Sequence, residues 1–477
     1  MSVMRAAAVG AVAVMLGLVA AGPGQQPPAP AGQAVKRPAA PPPPSAPAPE
    51  PVGPADPAVA ALVRDLGAAD YKAREKAGRD LEELGDKALP HLRKALVDTT
   101  SPEVARRLSV LVRKMEYDRL VNPRRVTMAR KSRTPKELCD EVARQTGYRI
   151  EFQGNGPAAD GRHVVGFDNA PFWVAMDAIA DLAGATVNTN GYDDDAVMVS
   201  AFGPPTRTPH VAYAGPFKVA ATNIQLSRSL PLTGNDPRGL GFVRPSESVS
   251  LQFNLFSEPK NPLLGMSLQP AVISAEDDLG QSLAPPPNPG NPFGGRVSYY
   301  GGGSYRSFNL TGSLNLVRGG REARTIRSLK AKVGVNLLSG VVPEVTVPNP
   351  VKAKNLKVTG RTVEVEVDSV AGGNGGYTVS MTIKKLGQHD PNFPDYNWSN
   401  SIWQKVELTD GKGNRYRNFG PSNMNTSPTS VTMTLPFQPT DRRGVRQQFG
   451  EPVRLVVNEW VQSTHEVTFE LRDVPLP

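Results

Sequence analysis

The alternation of short apolar runs with Gly, Pro and Asn clusters from Pro204 onward is the feature that most constrains the fold of this chain. Runs of this kind predict short antiparallel strands joined by tight turns, which is the pattern of β-sandwiches. Glycine (45) and proline (47) make up about one fifth of the 477 residues, well above average usage, which argues against an all-helical bundle.

The same half of the chain contains an internal repeat. Asp277 and Asp410 each precede a glycine at a predicted turn between strands. Two further pairs of segments parallel each other, namely 307–314 with 430–435 and 342–350 with 469–477. The spacing between the copies is 133 residues at the turns and 127 at the ends, a difference that one loop can absorb. We therefore predict two tandem antiparallel β-sandwiches, over residues 205–350 and 351–477.

Residues 56–120 show four short amphipathic helical runs joined by tight turns. A proline after a capping residue opens the first run at Asp56 and the fourth at Ser101. This segment resembles a HEAT-type helical repeat. The residues that carry the resemblance are Arg74, Ala77, Leu81, Leu84, Gly85, Ala88, Leu89, Pro90, Leu92, Ser101, Pro102, Glu103, Val104 and Arg107. The resemblance implies a helical scaffold that binds other proteins.

Residues 125–203 have the element order strand–helix–strand–strand–helix–strand–strand in the hydrophobic pattern. The segment resembles the short N-terminal domain of bacterial secretins and TonB-dependent receptors. The residues that carry the resemblance are Leu138, 145–148, 169–171, 178–179 and 182–184. It implies protein–protein contact in the periplasm. No barrel or secretin body follows, so a transport role is not implied.

The predicted fold class is multidomain α+β: a short helical-repeat module, a small α/β domain and two tandem antiparallel β-sandwiches. The sandwiches resemble immunoglobulin-like domains in general build, without the cysteine pair of antibody domains. That fold is shared by many proteins and implies no function. Cys139 is the single cysteine, so an intramolecular disulfide and a cysteine-based metal site are excluded, and we expect a small packed residue.

The first 55 residues have the composition of an export signal followed by a linker. Residues 1–21 combine one arginine, an uncharged apolar stretch and small residues at a plausible cleavage point, which predicts a secretory signal peptide. The stretch is shorter than the roughly 20 residues of a membrane span, which disfavours an uncleaved anchor. Residues 22–55 are rich in proline and predict a disordered linker, acting as a plain tether or as a spacer. We expect an exported protein of the periplasm or cell surface that does not span the membrane.

Positive charge is concentrated between residues 106 and 136, where eleven basic residues stand against two acidic ones. This net charge of +9 equals that of the whole chain. Such a stretch attracts anionic partners, either acidic envelope proteins or anionic polymers, although a solvated helix end would have the same composition. The residues that we assign to partner binding are Arg124, Arg125, Arg130, Lys131 and Arg133. Nucleic acid is not an expected partner of an exported protein.

Tryptophan placement suggests a second binding surface, for a glycan or another partner. A strand over residues 402–408 would put Trp403 on a polar face, opposite its apolar residues. Trp460 likewise shares its face with polar residues. An indole on a polar face can stack on a sugar. The alternative is that a bulge or a neighbouring domain covers both rings.

No catalytic motif is present in the sequence, so we predict no catalytic residue, no cofactor and no metal site. The aspartates at 193–195 and 277–278 lack the spacing of a calcium loop. The leading hypothesis is a non-catalytic exported protein that scaffolds or binds other envelope proteins. One alternative is a carbohydrate- or cell-wall-binding protein that uses the last sandwich. A more distant alternative is a hydrolase whose carboxylates meet only in the fold.

Overall fold

The computed structural model describes residues 57–155, 157–189, 196–202, 209–229, 246–267, 270–285, 299–300, 306–318, 322–373, 375–387, 397–440 and 445–477. Three of the predicted features lie outside the described residues: the signal peptide at 1–21, the linker at 22–55 and the acidic run at 193–195. No helix of the described part has both the length and the apolar character needed to cross a membrane.

Four helices come first: α1 (Pro57–Asp65), α2 (Tyr71–Leu84), α3 (Leu89–Asp98) and α4 (Pro102–Val121). Asp70 and Ser101 cap α2 and α4, since their side chains accept the backbone N–H three residues ahead. Apolar side chains of all four helices form one buried cluster, in which Leu81, Leu92 and Leu108 are fully buried. The four predicted helical runs are therefore present and share a core.

A small α/β segment follows: β1 (Arg125–Arg133), α5 (Pro135–Thr146), β2 (Arg149–Gly154), α6 (Pro157–Asp160), β3 (His163–Pro171), α7 (Phe172–Ala183), β4 (Thr186–Thr189) and β5 (Ala196–Ala201). Thr134 and Glu137 form a capping box that starts α5. β1 pairs antiparallel with β3, whereas β5 lies between a parallel β2 and an antiparallel β4. Leu138 of α5 and Phe172 of α7 lie in one buried cluster with side chains of β1 and β5, so one core joins both sheets.

The rest of the described chain is almost entirely strand. The strands are β6 (Val211–Ala214), β7 (Phe217–Ser229), β8 (Ser246–Ser257), β9 (Leu263–Ser267), β10 (Ala271–Asp277), β11 (Tyr299–Tyr300), β12 (Asn309–Val317), β13 (Thr325–Pro348), β14 (Leu356–Thr359), β15 (Val363–Gly373), β16 (Gly376–Lys385), β17 (Val406–Asp410), β18 (Arg415–Asn418), β19 (Asn423–Thr426), β20 (Ser430–Gln438) and β21 (Pro452–Pro475). The short helix α8 (Asn397–Asn400) precedes β17. The fold is thus mixed α+β with large, mainly antiparallel β-sheets.

Two strands of 24 residues, β13 and β21, form the centre of a twelve-stranded sheet. They pair antiparallel along their length, from Thr325 opposite Pro475 to Pro348 opposite Arg454. We call this pair the long ribbon. β10 adds to the first part of β13, and β17 adds to the first part of β21. The order β20-β16-β15-β14 in this sheet also matches the order β12-β8-β7-β6 of a separate four-stranded sheet. These equivalences support the predicted internal repeat.

The two aspartate turns of the repeat have the same hydrogen bonds. The Oδ1 atom of Asp277 accepts the N–H groups of Leu279 (3.0 Å) and Gln281 (2.8 Å). The Oδ1 atom of Asp410 accepts the N–H groups two and four residues ahead, at 2.9 and 2.8 Å. A glycine with positive φ stands three residues after each aspartate. Turn geometry therefore accounts for aspartate at both positions.

Two hydrophobic clusters lie along the long ribbon, and both of its strands contribute to both clusters. The first cluster joins the four-stranded sheet to β13 and to Val467 and Phe469 near the end of β21. The second cluster contains β14 to β20 together with Val345 of β13 and Leu455 of β21. The predicted domain boundary between residues 350 and 351 therefore falls between two strands that belong together. β13 lies before the boundary and β21 after it, yet they pair with each other and contribute to the same two clusters.

This sharing can be tested with Phe469→Ala. The Phe469 ring is 3% exposed and its centroid lies 5.5 Å from that of Phe253 in the first cluster. We expect the free energy of unfolding to fall by about 3–5 kcal/mol, because the substitution leaves a cavity in that cluster. Urea unfolding of the full chain followed by circular dichroism measures the change. Phe419→Ala is the control: this ring is 58% exposed, and its removal should cost less than about 1 kcal/mol. Equal losses would contradict the shared core.

Candidate functional site

The basic stretch at 106–136 covers much of α4, all of β1 and the start of α5. Three of its cations are neutralised by carboxylates: Arg107 by Glu103 (2.8 Å), Lys114 by Glu82 (2.7 Å) and Lys136 by Asp140 (2.8 Å). Part of the positive charge of this stretch is therefore neutralised by carboxylates of α2, α4 and α5.

The second half of β1 is exposed on both faces. Val126 and Met128 are buried, but the alternation ends there, and all four residues at 129–132 are exposed. Arg130 and Lys131 have no carboxylate partner in the described part of the chain. Arg133 donates to the carbonyl oxygen of Ala129 at 2.9 Å. This half-strand therefore presents cations that are not neutralised.

The first half of β1 is tied to its surroundings. Arg125 donates to the carbonyl oxygen of Asn169 at 2.9 Å. The side chain of Gln145 bonds both the N–H (3.0 Å) and the carbonyl oxygen (2.9 Å) of Thr127. Among the described strands β1 pairs only with β3, which leaves its other edge without a strand. At Thr127 this other edge is covered by α5, through the side chain of Gln145. The free part of β1 thus begins after Met128.

Arg124, the fifth predicted binding residue, is half-buried, and its backbone is bonded to a buried carboxylate. Its backbone N–H donates to both carboxylate oxygens of Glu258 at 3.1 Å. Glu258 is fully buried, and the hydroxyl of Tyr148 donates to it at 2.7 Å. Lys260 lies 3.7 Å from the same carboxylate. We call these four residues the Glu258 junction.

The Glu258 junction joins three parts of the chain. Arg124 follows α4, Tyr148 lies between α5 and β2, and Glu258 and Lys260 follow β8. Nearby, the Nε1 atom of Trp173 and the backbone N–H of Glu258 both donate to the carbonyl oxygen of Pro216, at 3.1 Å each. The helices, the α/β segment and the first strands of the β region are therefore fastened to one another.

Burial raises the pKa of Glu258 to about 7, against an ordinary value of 4.5. The charge of Lys260 and the hydrogen bonds from Tyr148 and Arg124 oppose this shift. Burial and the neighbouring carboxylate also raise the pKa of Tyr148. Sequence analysis missed Glu258, because a single glutamate in a polar turn between strands carries no pattern that distinguishes it.

The structure favours the alternative in which Trp403 and Trp460 are covered, since each is only 9% exposed. Trp403 lies in a 3₁₀ turn (Ile402–Lys405), so the alternation of a strand does not apply to it. Trp460 lies in β21 beside a register shift and forms a small cluster with Leu264 and Leu338. Neither ring offers the open face that a sugar would need.

A groove of about 420 Å³ lies between α2 and α4. Its lining includes Arg79 and Arg106 together with Glu75 and Glu82, so both signs of charge are present. The exposed Val110 forms part of its wall. A lining of mixed charge selects neither an anionic nor a cationic ligand.

Comparison with known protein families, curated proteins and solved structures finds no match. In the described ranges, no group of three His, Cys, Asp or Glu side chains could hold a metal ion. Cys139 is fully buried, and burial raises the pKa of its thiol to about 12. Its prediction as a packed residue is confirmed. Function must therefore be argued from this chain's own surfaces.

The pKa of Glu258 predicts a pH dependence of stability. The folded protein keeps a proton on Glu258 that the unfolded chain releases above pH 4.5. The free energy of unfolding should therefore fall as the pH rises from about 4.5 to about 7, by up to about 3 kcal/mol. Urea unfolding at a series of pH values measures this slope.

In Glu258→Gln the side chain cannot titrate, so the part of the pH dependence of the free energy of unfolding that Glu258 contributes should disappear. Glu276→Gln removes an exposed carboxylate of β10 and serves as the matched control. The same pH slope in wild type and Glu258→Gln would show that Glu258 does not titrate in this range.

Proposed function

We propose that the protein is a non-catalytic, exported scaffold that binds an acidic protein partner through the exposed half of β1. The observation that carries the proposal is that Arg130 and Lys131 stand in the second half of an edge strand, where both faces of the strand are exposed. An edge strand accepts a partner's backbone, and its side chains select the charge of that partner. Arg133 extends the same positive segment, whereas Arg125 lies in the first half of β1 and is held by the carbonyl oxygen of Asn169.

The Glu258 junction supports a scaffold role. It holds the basic strand on a folded body rather than on a free linker, because Arg124 directly precedes β1. Preorganisation of this kind reduces the entropy that binding costs. The proposed signal peptide would deliver this body to the periplasm or the cell surface, with the linker as its tether.

We further propose that the folded chain consists of the domain types which its sequence resembles. The four helices suit a HEAT-like module, and the strand and helix order at 125–203 suits a secretin-type domain. The repeated strand order suits two immunoglobulin-like sandwiches that share the long ribbon instead of standing strictly in tandem. A glycan-binding function loses its main argument, because Trp403 and Trp460 are buried.

Charge reversal tests the binding proposal. The full chain is immobilised, and its affinity for a synthetic acidic peptide of alternating Glu and Val is measured by surface plasmon resonance at several salt concentrations. Arg130→Glu/Lys131→Glu should weaken binding about tenfold or more, because two attractive charges become repulsive. Binding to wild type should weaken with salt.

Lys352→Glu/Lys354→Glu is the matched control, since it reverses two exposed cations far along the chain. This variant should bind the peptide nearly as well as wild type does. Equal losses in both variants would indicate a response to net charge alone. Equal affinity of wild type and Arg130→Glu/Lys131→Glu would refute the assignment to β1.

A further inference from the structure

A cavity of about 280 Å³ lies beside the Glu258 junction, since Arg124 and Lys260 are part of its lining. Its walls come from the ends of α2 and α4, the start of α3, the connection from α4 to β1, and the turn after β8. Leu89 and Met115 supply apolar parts of the lining. The same cavity is therefore formed by the helices, by the connection to the α/β segment and by the β region.

Positive charge predominates in this cavity. Its three cations are Arg119, Arg124 and Lys260. Two carboxylates, those of Glu82 and Asp118, also line it. Glu82 is paired with Lys114 at 2.7 Å, and the charge of Asp118 acts on the same lysine. Because a cation of α4 already faces both carboxylates, the field inside the cavity favours an anion.

Two of the three cations are held in place by the Glu258 junction. The side chain of Lys260 is 9% exposed and lies 3.7 Å from the carboxylate of Glu258. Its Nζ atom donates to the carbonyl oxygen of Asn122. Arg124 is half-buried, and its backbone is bonded to the same carboxylate. Long cationic side chains lose rotamer entropy when they are ordered, so cations that the fold already holds bind an anion at lower cost.

The size and charge of the cavity fit a phosphate group that carries a small organic part. A water molecule takes up about 30 Å³ of the liquid, so the cavity has room for roughly nine non-hydrogen atoms. A phosphate group fills about half of this space. Three cations, two of them guanidinium groups that match phosphate oxygens with a planar fork, suit a dianion with three acceptor oxygens.

We propose that this cavity binds the phosphate group of a small phosphomonoester, with Arg119, Arg124 and Lys260 as the groups that contact the phosphate oxygens. Leu89 and Met115 lie against the organic part. None of residues 129–133 belongs to the lining, so this site is separate from the exposed half of β1 and does not depend on the function proposed for that strand.

Glu258 couples this site to pH. Tyr148, Lys260 and Arg124 face its carboxylate, and burial raises its pKa to about 7. When Glu258 is ionised, its charge competes with a bound anion for Lys260 and Arg124. When Glu258 is protonated, this competition ends. The affinity for an anion should therefore rise as the pH falls through about 7, and a bound anion should in turn raise the pKa of Glu258.

Isothermal titration calorimetry of the full chain with inorganic phosphate and with n-propyl phosphate tests the site. Both should bind saturably, and n-propyl phosphate should bind more tightly because its alkyl group contacts Leu89 and Met115. Arg119→Gln should weaken both affinities about tenfold or more, because it removes a charged hydrogen-bond donor to the phosphate. Arg113→Gln is the matched control: it removes an exposed cation of the same helix that lies outside the lining, and it should bind as wild type does.

Lys260→Gln is the second variant, and it should also weaken binding about tenfold or more. Circular dichroism establishes that each variant folds. Arg119 is exposed at the end of α4, so Arg119→Gln tests the site even where Lys260→Gln disturbs the Glu258 junction.

Sulfate replaces phosphate in a pH series, because a phosphate ester itself takes up a proton near pH 6 whereas sulfate keeps its charge. Wild type should bind sulfate about fivefold more tightly at about pH 6 than at about pH 8. Glu258→Gln should bind it equally at both values. Glu276→Gln, the control with an exposed carboxylate removed, should keep the wild-type dependence.

Absence of saturable phosphate binding in the millimolar range would overturn the proposal. So would unchanged affinity in both Arg119→Gln and Lys260→Gln, or equal losses in Arg119→Gln and Arg113→Gln, which would show a response to net charge alone. Inorganic phosphate that binds as tightly as n-propyl phosphate would contradict the assignment to an ester and make the free ion the ligand. Equal affinity of wild type for sulfate at both pH values would refute the coupling to Glu258.

Discussion

The antiparallel pairing of β13 with β21 is the contact on which the β region depends. Each strand leaves its second edge to partners of its own half of the chain, so β9 and β10 add to β13, and β17 adds to β21. Each strand also sends side chains into both hydrophobic clusters. Residues far apart in the sequence must therefore meet before either cluster is complete, which costs loop entropy and favours slow, cooperative folding.

Two buried carboxylates, those of Asp410 and Glu258, hold a turn and a junction of the β region, and the surroundings of each determine its charge. Asp410 accepts from the side chain of Asn414 and from three backbone N–H groups, which lowers its pKa to about 2. Glu258 has fewer donors and a deeper position, so burial dominates and its pKa is about 7. The first carboxylate stays ionised and fixes a turn. The second changes its charge near neutral pH at the junction of three parts of the chain.

Local sequence patterns predicted the helices, strands and turns. The burial of particular side chains and the identity of their partners depend on long-range contacts, which local patterns do not contain. The helices, the α/β order and both aspartate turns follow from caps, spacing and turn residues, which act within a few positions. The exposure of Trp403 depended on one boundary: the strand begins at Val406 instead of 402, and this removes the alternation. Glu258 was unpredictable for another reason, since its partners lie 110 and 134 residues away.

Charge in the sequence and charge at the surface are different quantities, and the basic stretch shows the difference. Of its cations, Arg107 is paired with a carboxylate of the same helix and Lys114 with one of α2, and the backbone N–H of Arg124 donates to Glu258. Only where β1 leaves its core after Met128 do successive cations face solvent on both sides of a strand. Because exposed charges act over roughly 8–10 Å in physiological salt, a partner would sense this short segment rather than the whole excess. The position at which a strand leaves its core therefore determines which part of the positive charge can bind.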